Sequence, residues 1–169
     1  MFWIKTSVFF LLALSPVWPL GSAAETGDPF VIINKTSNTL ALVEHGKIVK
    51  TFPVATGKED RLTPVGSFTV TVKAVNPYYR KANIPGGDKD NPLGSRWIGF
   101  DARNTDGRMY GIHGSNNPAS IGTYASNGCV RMLEDDVQYV YDHIPGGAAV
   151  IVVKSKYGFD DILRHLKSQ

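Results

Sequence analysis

The sequence predicts a mainly β domain with one or two short helices, and three observations predict it. Apolar residues recur in short runs, several of them alternating with polar residues at the period of a half-buried strand. Glycine and proline fall between those runs and punctuate them, with 17 and 10 of the 169 residues. Only two segments, both near the C-terminus, carry the spacing and end signals of a helix.

Residues 1–24 read as an export signal and not as part of the fold. Lys5 is a short basic start, residues 8–14 are an unbroken apolar run, and Ser22-Ala23-Ala24 offers small side chains for cleavage before Glu25. Pro16 and Pro19 interrupt the run well short of the roughly 20 apolar residues a spanning helix needs, so removal is expected over anchoring; the alternative is an uncleaved tether. What remains, residues 25–169, has the length of one domain with one core. An extracytoplasmic location follows.

In order along that domain, residues 30–33 and 39–43 are short apolar runs, and residues 47–55 follow a His45-Gly46 turn, which together predict a hairpin. Pro64 and Gly66 introduce residues 67–72, where Phe68, Val70 and Val72 alternate with hydroxyl residues. Residues 76–95 carry Pro77, Pro85-Gly86-Gly87, Pro92 and Gly94, and read as a long loop whose Tyr78, Tyr79 and Arg80 are able to line a groove. Residues 97–100 and 109–112 are two further strands, the second ending just before His113. Asn117-Pro118 suits a single helical turn. Leu133, Val137, Val140, Tyr141 and Ile144 form a helical stripe with Glu134, Asp135 and Asp136 in its first turn, and Gly146-Gly147 is expected to end it. Residues 148–153 are a closing core strand and residues 160–167 a terminal helix.

Charge and composition exclude several functions. Without Lys5 the domain holds 17 basic against 15 acidic residues and no run of five like charges, which gives nucleic-acid binding no support. One cysteine builds neither a disulfide nor a Cys-x-x-Cys redox pair, and no histidine pair has metal-ligand spacing, so neither metal nor cofactor is expected. His45 in its turn and His165 read as surface groups, and His143 as a favourable charge late in a helix.

The chemistry then falls to residues 113–131. An exported protein normally pairs its cysteines or lacks them, so the lone Cys129 in Ser126-Asn127-Gly128-Cys129-Val130-Arg131 calls for a reason. The bland reading is a small buried hydrophobe. The functional one is a thiol nucleophile with His113, in Ile112-His113-Gly114-Ser115, as its base, since a thiol is mostly protonated at neutral pH without help. No acidic residue to orient His113 is evident, and a backbone carbonyl is able to serve. Gly128 permits a tight turn that aims its own N–H and that of Cys129 at one oxyanion. Arg131 is suited to a substrate carboxylate or to bonding loop carbonyls, and Ser126 to a hydrogen bond with substrate or His113.

His113-Gly114-Ser115-Asn116-Asn117-Pro118 followed by Ser126-Asn127-Gly128-Cys129-Val130-Arg131-Met132 resembles the signature of the YkuD-type L,D-transpeptidase catalytic domain. Thr63-Pro64-Val65-Gly66-Ser67-Phe68 and Pro92-Leu93-Gly94-Ser95-Arg96-Trp97 resemble further segments of that family, so the likeness covers roughly residues 31–153. The resemblance implies a β-sandwich-like fold with mixed sheets, and an enzyme that takes a peptidoglycan tetrapeptide stem, releases its terminal D-alanine and passes the acyl group to an amine. It implies Cys129 as nucleophile, His113 as base, the Gly114 carbonyl as the group orienting it, and Gly128 and Cys129 N–H groups as the oxyanion hole. Arg131, Ser126 and Asn127 are implied at the substrate. Asn127 departs from the histidine usual before the glycine, which affects substrate grip or thiolate tuning and leaves the backbone N–H unchanged.

The same resemblance implies acylation of Cys129 by carbapenem-type β-lactams. A monomer is expected, and with no wall-binding module read in the sequence, targeting is expected to rest on the catalytic domain itself. Two rivals remain at this point. An L,D-carboxypeptidase would pass the same acyl group to water, and a non-catalytic wall-binding module would not need Cys129 and His113.

Overall fold

The computed structural model describes residues 28–168; the expected export signal lies outside the described residues. Ten strands and two α-helices are found among them. The strands are β1 Phe30–Asn34, β2 Thr39–Glu44, β3 Lys47–Pro53, β4 Thr56–Gly57, β5 Gly66–Val75, β6 Arg96–Phe100, β7 Tyr110–His113, β8 Tyr124–Ser126, β9 Val130–Arg131 and β10 Ala149–Val153. The helices are α1 Glu134–His143 and α2 Phe159–Lys167, with 3-10 turns at Ala102–Asn104 and Pro118–Ser120.

Eight strands form one mixed sheet in the order β3-β2-β1-β10-β5-β6-β7-β9, and β4 pairs with β8 apart from it. Within the eight-stranded sheet the pairs β1 with β10 and β7 with β9 are parallel and the rest antiparallel, and β4 with β8 is parallel too. The sheet curls, so that Leu40 and Leu42 at one end and Ile112 and Val130 at the other belong to a single apolar cluster. Val137 and Val140 of α1, with Ile144 just beyond its end, fill that cluster. The sandwich-like form is therefore one sheet folded over α1.

Burial explains the apolar run of β1. Val31 and Ile33 enter the main cluster, while Phe30 and Ile32 face a second one closed by Ile162 and Leu163 of α2. A strand covered on both faces reads as continuous apolar residues without alternation.

Three local expectations shift. A bulge between Val70 and Val72 leaves Phe68 and Val70 against the core but takes Val72 off that face. Lys73 is turned instead onto the C-terminus of α1, where its ammonium donates to the carbonyls of Tyr141 and Ile144 at 2.6 and 2.5 Å. Burial lowers the Lys73 pKa, and Asp142 pulls it back up. Leu133 is the extended residue before α1 and is exposed, its place in the core taken by Met132. The helix ends at His143, before the glycine pair, because Pro145 drives Ile144 into an extended conformation.

Residues 76–95 are held by backbone turns, among them a Tyr79–Ile84 bridge, and by one buried side chain. The Asn91 amide donates to the carbonyls of Pro77 and Pro85 at 2.8 and 3.0 Å, and its oxygen accepts the Leu93 N–H at 2.9 Å. A loop without ladder pairing needs such substitutes for its backbone groups. Replacing Asn91 by Ala is expected to cost about 1–3 kcal/mol in urea unfolding and to speed amide exchange within residues 76–95 first.

Candidate active site

The site is built on the edge of the sheet where β7 pairs with β9. Ile112 lies opposite Val130, and His113 opposite Arg131. Ile112 and Val130 point into the core, both fully buried. Alternation then puts Gly111, His113 and Arg131 on the outer face, with Cys129, one residue before β9, beside Gly111. Strand spacing sets the Cα atoms of His113 and Cys129 roughly 8 Å apart, a gap two inward-leaning side chains can close.

Glycines make room on that face. Trp97 pairs with His113 across β6 and β7 and stacks on its ring, with centroids 5.5 Å apart and planes at 16°. The indole lies over Gly111, where a Cβ would come within 2.6 Å of the ring, and its Nε1–H donates to the Gly107 carbonyl at 2.9 Å. A glycine inside a strand marks such a close approach, and this was the signal in the sequence that Gly111 belongs to the site.

His113 is held as a neutral base. Its Nδ1 lies 2.6 Å from the Gly114 carbonyl. A carbonyl only accepts, so Nδ1 carries the proton and Nε2 keeps its lone pair. Burial is the main reason its pKa falls to about 4; the Gly114 carbonyl opposes that, the Arg131 charge adds to it, and the Leu93 carbonyl opposes it.

The thiol is partly exposed and rests on the Met109 carbonyl at 3.4 Å. Burial raises its pKa, while the Gly111 N–H and the charges of Lys81 and Arg131 favour the thiolate. The resting pair is thus thiol and imidazole. Backbone N–H at the sulfur and carbonyls at the imidazole are arranged to favour the ion pair once the proton moves.

The turn carrying Cys129 is clamped from inside. Ser126 is buried; its hydroxyl donates to the Cys129 carbonyl and accepts the Gly128 N–H at 3.0 Å. The sequence leads one to expect Ser126 at substrate or His113 and the Gly128 N–H at an oxyanion; in this structure the two bond to each other within the turn. Gly128 is needed for its φ of 134°, and a Cβ there would lie 2.7 Å from the Leu62 carbonyl oxygen. Buried Thr63 closes the clamp, its hydroxyl accepting the Gly57 N–H at 2.8 Å and donating to the Gly128 carbonyl at 3.0 Å.

Arg131 is pinned through its backbone, which exchanges two 2.9 Å bonds with Ala55, and its charge acts on both His113 and Cys129. Asn127 is exposed at the tip of the turn. From the long loop, Lys81 and the Leu93 carbonyl act on the thiol and the imidazole, where the sequence pointed to Tyr78, Tyr79 and Arg80. Glu134, read only as a helix-start acid, accepts the Ser95 and Ser115 N–H groups at 3.0 and 2.9 Å. No cluster of metal-ligating side chains occurs among the described residues. A nucleophile, a neutral base, an orienting carbonyl and a nearby cation suit acyl transfer through a thioester.

Comparison with known proteins places the chain in a family. The family model YkuD, the L,D-transpeptidase catalytic domain, matches residues 28–152. The putative L,D-transpeptidase YqjB of Bacillus subtilis (strain 168) is 53% identical over 156 residues, covering 92% of this chain and 88% of its own. In fold, the chain is similar to an Enterococcus faecium L,D-transpeptidase (TM-score 0.60, 19% identity, 75% of this chain and 50% of that one). It is also similar to L,D-transpeptidase 3 from Mycobacterium tuberculosis in complex with a faropenem-derived adduct (TM-score 0.56, 20% identity, 75% and 60%). This chain thus spans about half the length of the Enterococcus structure.

Two outcomes follow from the geometry. Between pH 6.5 and about 4 the unfolded chain protonates its histidine while folded His113 stays neutral, so stability rises with pH across that window. Its loss on acidification should approach about 3 kcal/mol, and His113→Gln should flatten the slope of unfolding free energy against pH by that amount. Thr63→Val, which keeps shape and removes both clamp bonds, is expected to cost about 1–3 kcal/mol and to slow Cys129 chemistry, read by urea unfolding and thiol labelling.

Proposed function

The chain belongs to the YkuD family of L,D-transpeptidase catalytic domains, and from that premise we propose that it is an exported enzyme remodelling peptidoglycan through a Cys129 thioester. The observation that carries this reading is the neutral, buried His113, oriented by the Gly114 carbonyl on the same face as the chain's single thiol. A buried imidazole with one nitrogen held by a carbonyl, set on the face that carries a thiol, is the arrangement a general base needs.

The steps use groups already placed. Donor binding turns the thiol from Met109 toward His113 Nε2, which takes its proton as sulfur attacks the carbonyl of the stem's third residue. The Cys129 N–H meets the developing oxyanion, with the Gly128 N–H joining only if it leaves Ser126. Collapse expels D-alanine, whose nitrogen receives the proton from His113, and leaves a thioester. An amine of a second stem attacks that thioester, gives its proton to His113, and the thiol is restored. Arg131 favours thiolate and is placed to meet a donor carboxylate, with Asn127 at the rim. Both work on the stem peptide without metal or cofactor.

A strained β-lactam carbonyl is open to the same attack, and the faropenem-derived adduct on a protein of the same fold supports it. The test is intact-protein mass after mixing residues 25–169 with a tetrapeptide-stem donor, beside Cys129→Ala. A mass gain equal to donor minus alanine, absent from the variant, is expected, and a carbapenem should likewise add its mass to Cys129 alone. Added amine separates transfer to a stem from hydrolysis by water. Neither adduct nor released D-alanine from folded protein would overturn the reading and leave a wall-binding module.

A further inference from the structure

We propose that Glu134 is the acidic member of this site, acting on His113 through the Gly114–Ser115 peptide group without touching the ring. This rests on His113 being the base. The Gly114 carbonyl oxygen lies 2.6 Å from His113 Nδ1, and at the other end of the same peptide plane the Ser115 N–H donates to Glu134 Oε1 at 2.9 Å. The chain of contact is imidazole N–H, carbonyl, amide N–H, carboxylate. An amide that donates to an anion draws its nitrogen lone pair toward the carbonyl and leaves that oxygen more negative, so successive bonds through one amide strengthen each other.

The carboxylate is built into its place. A Cβ on Gly114 would lie 1.9 Å from Glu134 Oε1, and so would a Cβ on Gly94, itself at φ +64°. Two glycines thus leave the space the carboxylate fills. Its other oxygen accepts the Ser95 N–H at 3.0 Å, which ties the end of the long loop, and with it the Leu93 carbonyl, to the histidine segment. A residue serving only the helix N-terminus would aim its carboxylate at the first turn of α1; both these bonds go to other segments.

During acylation the proton leaves Cys129 Sγ for His113 Nε2. The imidazolium that results faces Arg131, which opposes it, and the Gly114 and Leu93 carbonyls, which favour it. Glu134 stands behind the first of those carbonyls and touches none of the reacting atoms. It is a positioning residue that supplies, across one peptide, what an aspartate supplies directly in other triads.

The test uses iodoacetamide alkylation of Cys129 at pH 7, a probe independent of the natural donor, and the His113 pKa read from imidazole 15N shifts. Glu134→Gln is expected to slow alkylation ten- to a hundredfold and to move the His113 pKa further down. In Glu134→Ala, added formate should restore part of the lost rate. Asp135→Asn, which removes a charge from the same helical turn, should change neither quantity. An unchanged rate in Glu134→Gln overturns the proposal. So does a His113 pKa rising toward 6.5, the sign of a loosened and solvated ring. Equal loss in Asp135→Asn, or no rescue by formate, overturns it as well. His113→Gln separates the two readings: if it leaves alkylation intact the base assignment itself fails, and if it alone slows the reaction only the relay fails.

Discussion

The parallel pairing of β7 with β9 is the constraint on which the site depends. Its register sends Ile112 and Val130 into the core and so leaves His113 and Cys129 no choice of face. A slip of one residue would bury the thiol and expose two core side chains, so the apolar cluster itself enforces the placement of His113 and Cys129 on one face. Parallel strands need a crossover, and residues 114–129 supply it as a long connection that includes the Pro118–Ser120 turn and β8. That connection is held at both ends, by Glu134 after His113 and by Ser126 and Thr63 before Cys129.

Burial sets the chemistry against charge, and backbone dipoles restore the balance. Desolvation pushes the histidine down and the thiol up, both toward the neutral pair. The Gly111 N–H at sulfur and the Gly114 and Leu93 carbonyls at the ring pull the other way. Such dipoles are fixed by the sheet and need no rearrangement when charge separates. Under the proposed function, that balance keeps the thiol neutral at rest and lets it ionise as its proton passes to His113.

Glycines serve different ends here. Gly111 admits the indole of Trp97, Gly94 and Gly114 admit the Glu134 carboxylate, and Gly128 takes a backbone angle closed to other residues. In each case the missing Cβ is occupied space or a forbidden conformation, so the motif's glycines are as specific as its cysteine and histidine.

The sequence by itself determined the seven longer strands, the hairpin, the two helices and the pairing of Cys129 with His113 as candidates, because apolar period, turn residues and reactive side chains are local properties; the short strands β4, β8 and β9 carry too few residues to show a period. Membership of the family was legible for the same reason, since its motifs are contiguous. Only the tertiary structure decided the bulge that moves Val72 aside, the end of α1 before Pro145, the commitment of Ser126 and the Gly128 N–H to their own turn, and the place of Glu134. Those depend on which groups meet across the fold: residues 115 and 134, or 63 and 128, are distant in sequence, and no pattern within either segment states that one holds the other. The direction of both pKa shifts is likewise a property of burial, which exists only once the chain has folded.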